Sequence, residues 1–301
     1  MLEKIIELTN EYVESMPKKE RKKYGQFFTS METARFMAGL YNIDEKKSKV
    51  SVLDAGAGSG ILSCAFIERL EMIDSIQKIE LTCYENDNNV LPLLKRNLEY
   101  CKEKSGKKIV INIIEYNYIL SQYLDFNHMI GGNDNPRKYD FVIGNPPYQD
   151  NTLGDNTTYA PPIYHLFLDA ACADSDKVEL IHPAGFLFNA GSTPKVWNRK
   201  MLNDEHFKVL FYEQDSSKVF SNTDIKGGIV ITYRDETKVY GAIETFTPYA
   251  KLNTILHKVF KNGGFTSFSG IVESAYSYHL SDALYIEHPE LKHRLSKGLE
   301  K

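Results

Sequence analysis

Asn145, Pro146, Pro147 and Tyr148 close a run of strand-forming residues, 139–144, and put an amide, two rigid prolines and an aromatic ring into four positions. Consecutive prolines supply no backbone N–H and fix φ, so a strand stops there. The Asn145 amide then rides on a stiff turn, with the Tyr148 ring held three residues on. Such a turn offers hydrogen-bond acceptors and a stacking face to a planar polar group, for example the exocyclic amine of a nucleobase. A plain strand-ending turn explains Asn145 and one proline equally well, because Asn-Pro is a common turn pair. Both readings stay open on these four residues alone.

Two further strand ends carry chemistry. Asp54-Ala55-Gly56-Ala57-Gly58-Ser59-Gly60 follows an apolar run and leads into a helical pattern. Ligands of open α/β sheets sit beyond the carboxyl ends of strands, where glycines let a ligand touch backbone. The spacing is GxGxG and not the dinucleotide GxGxxG, and the loop holds an acid and no base. It therefore suits a cationic, phosphate-free cofactor better than a pyrophosphate. A tight strand-to-helix connection also uses such glycines. The next strand ends in Tyr84-Glu85-Asn86-Asp87, and an acid there can take both hydroxyls of a ribose. Together the two ends point to a nucleoside-containing cofactor.

The elements that must position these residues alternate in the manner of a parallel α/β sheet. Strands are expected at 49–53, 79–84, 109–114, 139–143, 178–181, 207–212 and 228–233, the last paired antiparallel. Helices are expected at 61–70, 90–104 and 163–173, and His182 after the fifth strand reads as a packing histidine. Two polar loops stand out: 131–136, and 150–162, which lies beside the turn and reads as a lid. The domain plan is an N-terminal helical segment at 1–47, a catalytic domain at 48–240, and a region at 241–301 that reads as the start of a further domain. The 301 residues hold 42% hydrophobic and 25% charged side chains, an ordinary globular composition. No apolar run approaches the roughly 20 residues of a membrane span. The N-terminus is acidic where a signal peptide is basic. Cys64, Cys83, Cys101 and Cys172 form no CxxC pair, which argues against zinc and disulfides and fits a reducing cytoplasm. The net charge of −4 is unusual for a protein that grips phosphates. The one dense basic stretch, 18–23, is equally a solvated helix end.

With these residues on hand, the chain resembles the adenine-N6 DNA methyltransferases of restriction–modification systems, in the order where the cofactor motif precedes the catalytic one. Protein glutamine and ribosomal RNA methyltransferases share Asn-Pro-Pro-Tyr after a similar loop. The segment Tyr24-Gly25-Gln26-Phe27-Phe28-Thr29-Ser30 resembles the additional N-terminal cofactor segment of the DNA enzymes and favours them. The resemblance spans residues 20–235. It implies a Rossmann-like S-adenosylmethionine-dependent methyltransferase fold, a mostly parallel seven-stranded sheet with an antiparallel edge hairpin and helices on both faces. It implies that Tyr24, Thr29, Asp54, Gly56, Gly58, Gly60, Glu85 and Asn145 hold S-adenosylmethionine. Asn117 stands where the family usually has an Asp contacting the cofactor's adenine amine. Asn145 and the Pro146 carbonyl would accept hydrogen bonds from the target amine, and Tyr148 and Phe220 would wall the flipped base. The expected partner is double-stranded DNA with a flipped adenine, with no metal and no membrane. A recognition domain or subunit is expected to come from outside this chain. Methylation of RNA or a protein glutamine, methylation of cytosine N4, and a non-enzymatic DNA-binding or assembly role are the alternatives.

Overall fold

Strands that are apolar on both faces need cover on both faces, and the chain supplies it with helices cut from the same alternating pattern. In the computed structural model, residues 1–17, 28–124, 139–150, 160–220, 223–261, 268, 271–272 and 282–293 are described. They fall into two compact units, Met1–Pro248 and Tyr249–Lys301. The first contains α1 (Leu2–Ser15), α2 (Met31–Leu40), β1 (Lys49–Ala55), α3 (Ile61–Glu71), β2 (Lys78–Tyr84), α4 (Leu91–Lys104) and β3 (Lys108–Ile114). It continues with α5 (Tyr118–Leu124), β4 (Phe141–Gly144), α6 (Tyr164–Asp174), β5 (Lys177–Pro183), α7 (Lys195–Leu202), β6 (Phe207–Glu213) and β7 (Ile229–Asp235). The second unit holds α8 (Ala250–Lys261) and α9 (Asp282–Glu287).

The seven strands form one sheet in the order β3-β2-β1-β4-β5-β7-β6. The first five run parallel, β7 is antiparallel to β5, and β6 and β7 make an antiparallel edge hairpin. This is the expected sheet. Sequence order reverses between β1 and β4, which pair with Asp54 opposite Ile143. That reversal is where an α/β sheet opens a crevice for ligands. It brings the glycine loop after β1 beside the Asn-Pro-Pro-Tyr turn after β4.

Two apolar clusters flank the sheet. On one face Leu2, Ile5, Met37, Tyr41, Phe66, Leu94 and Leu98 pack from α1 to α4. On the other Tyr118, Phe167, Leu168, Trp197 and Met201 pack from α5 to α7. Burying side chains of this size stabilises the fold by about 1.5–3 kcal/mol each. Arg35 joins the first three helices by pairing with Glu3 at 2.6 Å and Glu68 at 2.8 Å, an exposed cluster that adds little.

The main differences from the sequence reading are short elements. Helices α5 and α7 were not expected: each is only two turns long and carries aromatic or polar residues on its core side, so no clean periodicity announces it. The loop 131–136, the basic stretch 18–23 and most of the loop 150–162 lie outside the described residues. Among the described residues no helix is long and apolar enough to cross a membrane.

Candidate functional site

Three glycines of the loop after β1 have positive φ, Gly56 at 83°, Gly58 at 55° and Gly60 at 80°. One of these positions is tightly enclosed and another lies in van der Waals contact with the turn after β4. A Cβ on Gly60 would come within 2.9 Å of Leu94 Cδ1, so the start of α3 lies directly on α4. A Cβ on Gly56 would stand 3.4 Å from Pro147 Cδ and 3.7 Å from Pro146 Cα. The glycine loop and the Asn-Pro-Pro-Tyr turn are therefore in close approach, although about ninety positions separate them in sequence. Gly56 and Ala57 both donate backbone N–H groups to Tyr84 O at 2.9 Å, which ties the loop to the end of β2.

Asp54 is fully buried, and its Oδ2 accepts the Ser63 hydroxyl at 2.6 Å. Its Oδ1 is buried and has no hydrogen-bond partner, as is the Ser59 hydroxyl. Burial pushes the Asp54 carboxyl up from 3.8 to about 7; the Ser63 bond opposes that rise and the charge of Glu85 adds to it. Glu85 is itself pushed up by burial and held by backbone donors. Its Oε2 accepts the Gly58 N–H at 2.8 Å, and its Oε1 accepts the Asn86 and Asp87 N–H groups at 2.9 Å. The predicted ribose acid is thus also a clasp on the glycine loop. Oε1 has both lone pairs engaged, but Oε2 has one left, so a ribose hydroxyl can still be accepted there.

The upstream segment reaches the same place. Ser30 caps α2 by accepting the Thr33 N–H at 3.2 Å, which fixes the chain entering the helix and leaves Thr29 buried just before it. The Asn145 side-chain amide donates to Thr29 Oγ1 at 3.3 Å. This contact orients the amide and turns its carbonyl oxygen away from Thr29. Phe28, Thr29, Gly56, Ala57, Gly58, Ser59, Ile61, Leu62 and Asn145 together line one cavity of about 40 Å³. Three motifs from distant parts of the chain therefore meet in one enclosure. Tyr24 lies outside the described residues.

Tyr148 is 6% exposed and Phe220 3%. Their ring centroids are 6.3 Å apart at 67°, an edge-to-face contact. A base sandwiched between them needs parallel rings about 7 Å apart, twice the carbon contact distance. At least one of the two rings must therefore turn before a base could enter between them. The base of the long loop after Tyr148 is zipped, with the Ile163 N–H on Tyr148 O at 3.1 Å and the Asp150 N–H on Pro161 O at 2.9 Å.

Asn117 lies at the start of α5, where its Oδ1 accepts the Leu120 N–H at 3.1 Å. A helix cap is thus the contact found for this side chain. His182 stacks on Tyr164 at 5.1 Å and meets Thr232 Oγ1 at 2.8 Å through Nε2. Burial pushes it down to about 4, so it is a neutral packing residue, as read from the sequence.

Two supporting residues escaped the sequence reading. Asn97, buried on α4, donates to Ser59 O at 2.8 Å and braces the glycine loop from behind. Its signal is an amide on the apolar face set by Leu94, Leu98 and Cys101. Ser63 braces Asp54 in the same way, one turn into α3. The enclosure offers a glycine cradle and an aromatic cover, and among the described residues no Lys or Arg lines it; Asp54, buried with a free oxygen, stands at the root of the glycine loop and outside the lining. This donor set fits a cationic nucleoside cofactor. Among the described residues no group of acidic, His or Cys side chains could hold a metal.

Comparison with known proteins agrees with this geometry. A family model described as Eco57I restriction-modification methylase matches residues 66–220, just over half of the chain. The type II methyltransferase M.BsuBI of Bacillus subtilis is 33% identical over 69% of this chain and 42% of its own length. M.PstI of Providencia stuartii is 32% identical over 42% of this chain and 24% of its own length. M.AccI of Acinetobacter calcoaceticus is 23% identical over 95% of this chain and 49% of its own length. The chain spans less than half the length of each of these relatives. A Listeria monocytogenes protein, provisionally described as a class I S-adenosylmethionine-dependent methyltransferase, superposes with a TM-score of 0.51 at 14% identity. It covers 79% of this chain and 72% of its own, and shares the fold.

Proposed function

Because the chain belongs to the Eco57I restriction-modification methylase family, we propose that it moves a methyl group from S-adenosylmethionine to N6 of an adenine flipped out of duplex DNA. The observation that carries this reading is the single cavity lined by Phe28 and Thr29, the glycine loop and Asn145. The cofactor supplies a sulfonium-activated methyl group and, next to it, an ammonium. Asp54, whose carboxyl is buried with one oxygen free at the root of the glycine loop, would supply the negative charge that favours such a cation. Glu85 accepts a ribose hydroxyl at Oε2 while keeping its clasp on Gly58. Asn117 caps α5 and contributes little to the cofactor.

The adenine amine is a poor nucleophile because its lone pair is delocalised into the ring. The Asn145 carbonyl, aimed by the Thr29 contact, and the Pro146 carbonyl accept the two amine hydrogens. They favour a pyramidal nitrogen whose lone pair points along the methyl–sulfur axis. With the cofactor bound, its methyl carbon would pass to nitrogen as the departing thioether keeps the carbon–sulfur electron pair, and the surplus amine proton would leave to solvent. Positioning and electrostatics do the work, with no covalent link to the protein. Extruding the base costs a few kcal/mol, and stacking on Tyr148 and Phe220 offsets part of it. A net charge of −4 leaves little grip on phosphates, so site recognition is assigned to a separate module or subunit.

The test is Asn145→Ala with tritiated S-adenosylmethionine, DNA and calorimetry. Methyl transfer should disappear while cofactor affinity stays within about threefold. Digestion of the product should yield N6-methyladenine. N4-methylcytosine, methylated RNA or a methylated glutamine would each replace the substrate named here. Weakened cofactor binding with retained turnover would refute the role given to Asn145.

A further inference from the structure

The connection between β6 and β7 runs through residues 214–228, although an antiparallel hairpin needs only about two to five. Much of the extra chain is tied to itself around Phe220. The Phe220 N–H donates to Ser216 O at 2.9 Å, and the Phe220 carbonyl accepts the Thr223 hydroxyl at 2.8 Å. Both backbone polar groups of Phe220 are thus held within four residues. The two hydroxyls close the knot. Thr223 Oγ1 lies 3.2 Å from Ser216 Oγ, which accepts the Ile225 N–H at 2.9 Å and lies 3.2 Å from Thr223 O. Ser216 is 3% exposed and Thr223 half-buried, so these bonds are partly sheltered from water. The Gly228 N–H on Ile225 O at 3.0 Å then leads the chain into β7. There a Cβ on Gly228 would stand 2.3 Å from Glu213 O, so the loop is pressed onto the end of β6.

Phe220 is thus held through both its N–H and its C=O, which fixes the place from which its ring extends. The side chain so held is the ring that meets Tyr148. We propose that Thr223, supported by Ser216, is a positioning residue for methyl transfer: its hydroxyl fixes the Phe220 backbone, so that the ring forms a stationary wall of the base pocket while Tyr148 turns to admit the base. This rests on the reading that a flipped base enters beside Tyr148 and Phe220. The chain could join β6 to β7 without either hydroxyl, and Val in place of Thr223 keeps the shape of the side chain and removes only the donor.

The experiment compares Thr223→Val, Thr223→Ser, Ser216→Ala, Phe220→Ala and the Phe220→Ala/Thr223→Val double variant in the full chain. Modified-base sequencing of DNA treated with the wild type defines the target. An oligonucleotide duplex carrying it is then used for kinetics, and 2-aminopurine at the target position reports base extrusion. Thr223→Val should lower kcat about two- to tenfold, the effect of one half-buried hydrogen bond that acts in the transition state. Its cofactor affinity should stay within about twofold, and its 2-aminopurine signal should approach that of Phe220→Ala. Thr223→Ser should restore the rate, and the double variant should be no slower than Phe220→Ala. Ser216→Ala should repeat the effect more weakly and serves if Thr223→Val does not fold. Equal rates for Thr223→Val and wild type, failure of Thr223→Ser to rescue, or additive losses in the double variant would overturn this inference alone. A wild type that transfers no methyl group would overturn the reading of the site and this inference together.

Discussion

Replacing Asp54 with Asn should stabilise the protein and weaken its cofactor binding at the same time. Asp54 is fully buried, and burial lifts its carboxyl from 3.8 to about 7. At 1.36 kcal/mol per pH unit, that rise corresponds to a destabilisation of about 4 kcal/mol once the group is ionised. The sign follows from proton binding. The folded chain holds this proton more tightly than the unfolded chain, so the carboxyl does no harm below pH 4. Stability then declines as pH rises to about 7 and is level above that. The Asn variant lacks this decline, because its neutral amide still offers an oxygen to the Ser63 hydroxyl. Other buried acids, Glu179 among them, titrate in both proteins and drop out of the difference. Urea unfolding of the cofactor-free proteins at half-unit steps from pH 4.5 to pH 8 measures it. The variant should gain about 2–4 kcal/mol on the wild type across this range. Calorimetry should show the matching loss: the sulfonium and ammonium favour an ionised Asp54, so wild-type binding near pH 6 releases a proton and the variant's does not. Parallel stability profiles, with a difference constant to about 0.5 kcal/mol, would refute the assignment of a burdened acid at this position.

Two other outcomes follow from the same geometry. Gly60→Ala should lower the melting temperature and the cofactor affinity together, because a left-handed φ of 80° and a 2.9 Å approach to Leu94 penalise any Cβ by about 1–3 kcal/mol; thermal unfolding with and without S-adenosylmethionine measures both. The isolated 301-residue chain should bind the cofactor yet methylate DNA weakly, and adding salt from 50 to 200 mM should reduce transfer less steeply than for a protein with many phosphate contacts. Robust site-specific methylation by the chain alone would contradict the assignment of recognition to a separate module.

Much of the sheet was readable because buried parallel strands are apolar on both faces and end at distinct turn residues. The placement of Asp54, Glu85 and Asn145 at neighbouring strand ends follows from the same rule, since sheet topology brings consecutive carboxyl ends to one edge. What escaped were bonds between a side chain and distant backbone. Asn97 braces Ser59 across 38 positions, and nothing in the local sequence names the partner. Asn117 shows the reverse case. A resemblance gave it a ligand, and the local competition for a helix N–H adds a cap that the resemblance does not mention. The Thr223 and Ser216 hydroxyls read as ordinary loop residues until the loop is seen folded.

The place of β7 in the sheet also governs the order in which the molecule can be made. β6 is synthesised before β7, yet β7 lies between β6 and β5 and is the strand with which β6 pairs. A nascent chain that has emerged only as far as residue 213 can pair its first five strands and shape the glycine loop, while β6 waits without a ladder. The knot around Phe220 lies within residues 216–225, and only the chain after it supplies β7, which docks and closes the edge. On the ribosome, the cofactor half of the site is therefore complete before the base half. The interval exposes an unpaired strand to other chains, and slow synthesis through residues 214–235 would lengthen that interval and favour aggregation.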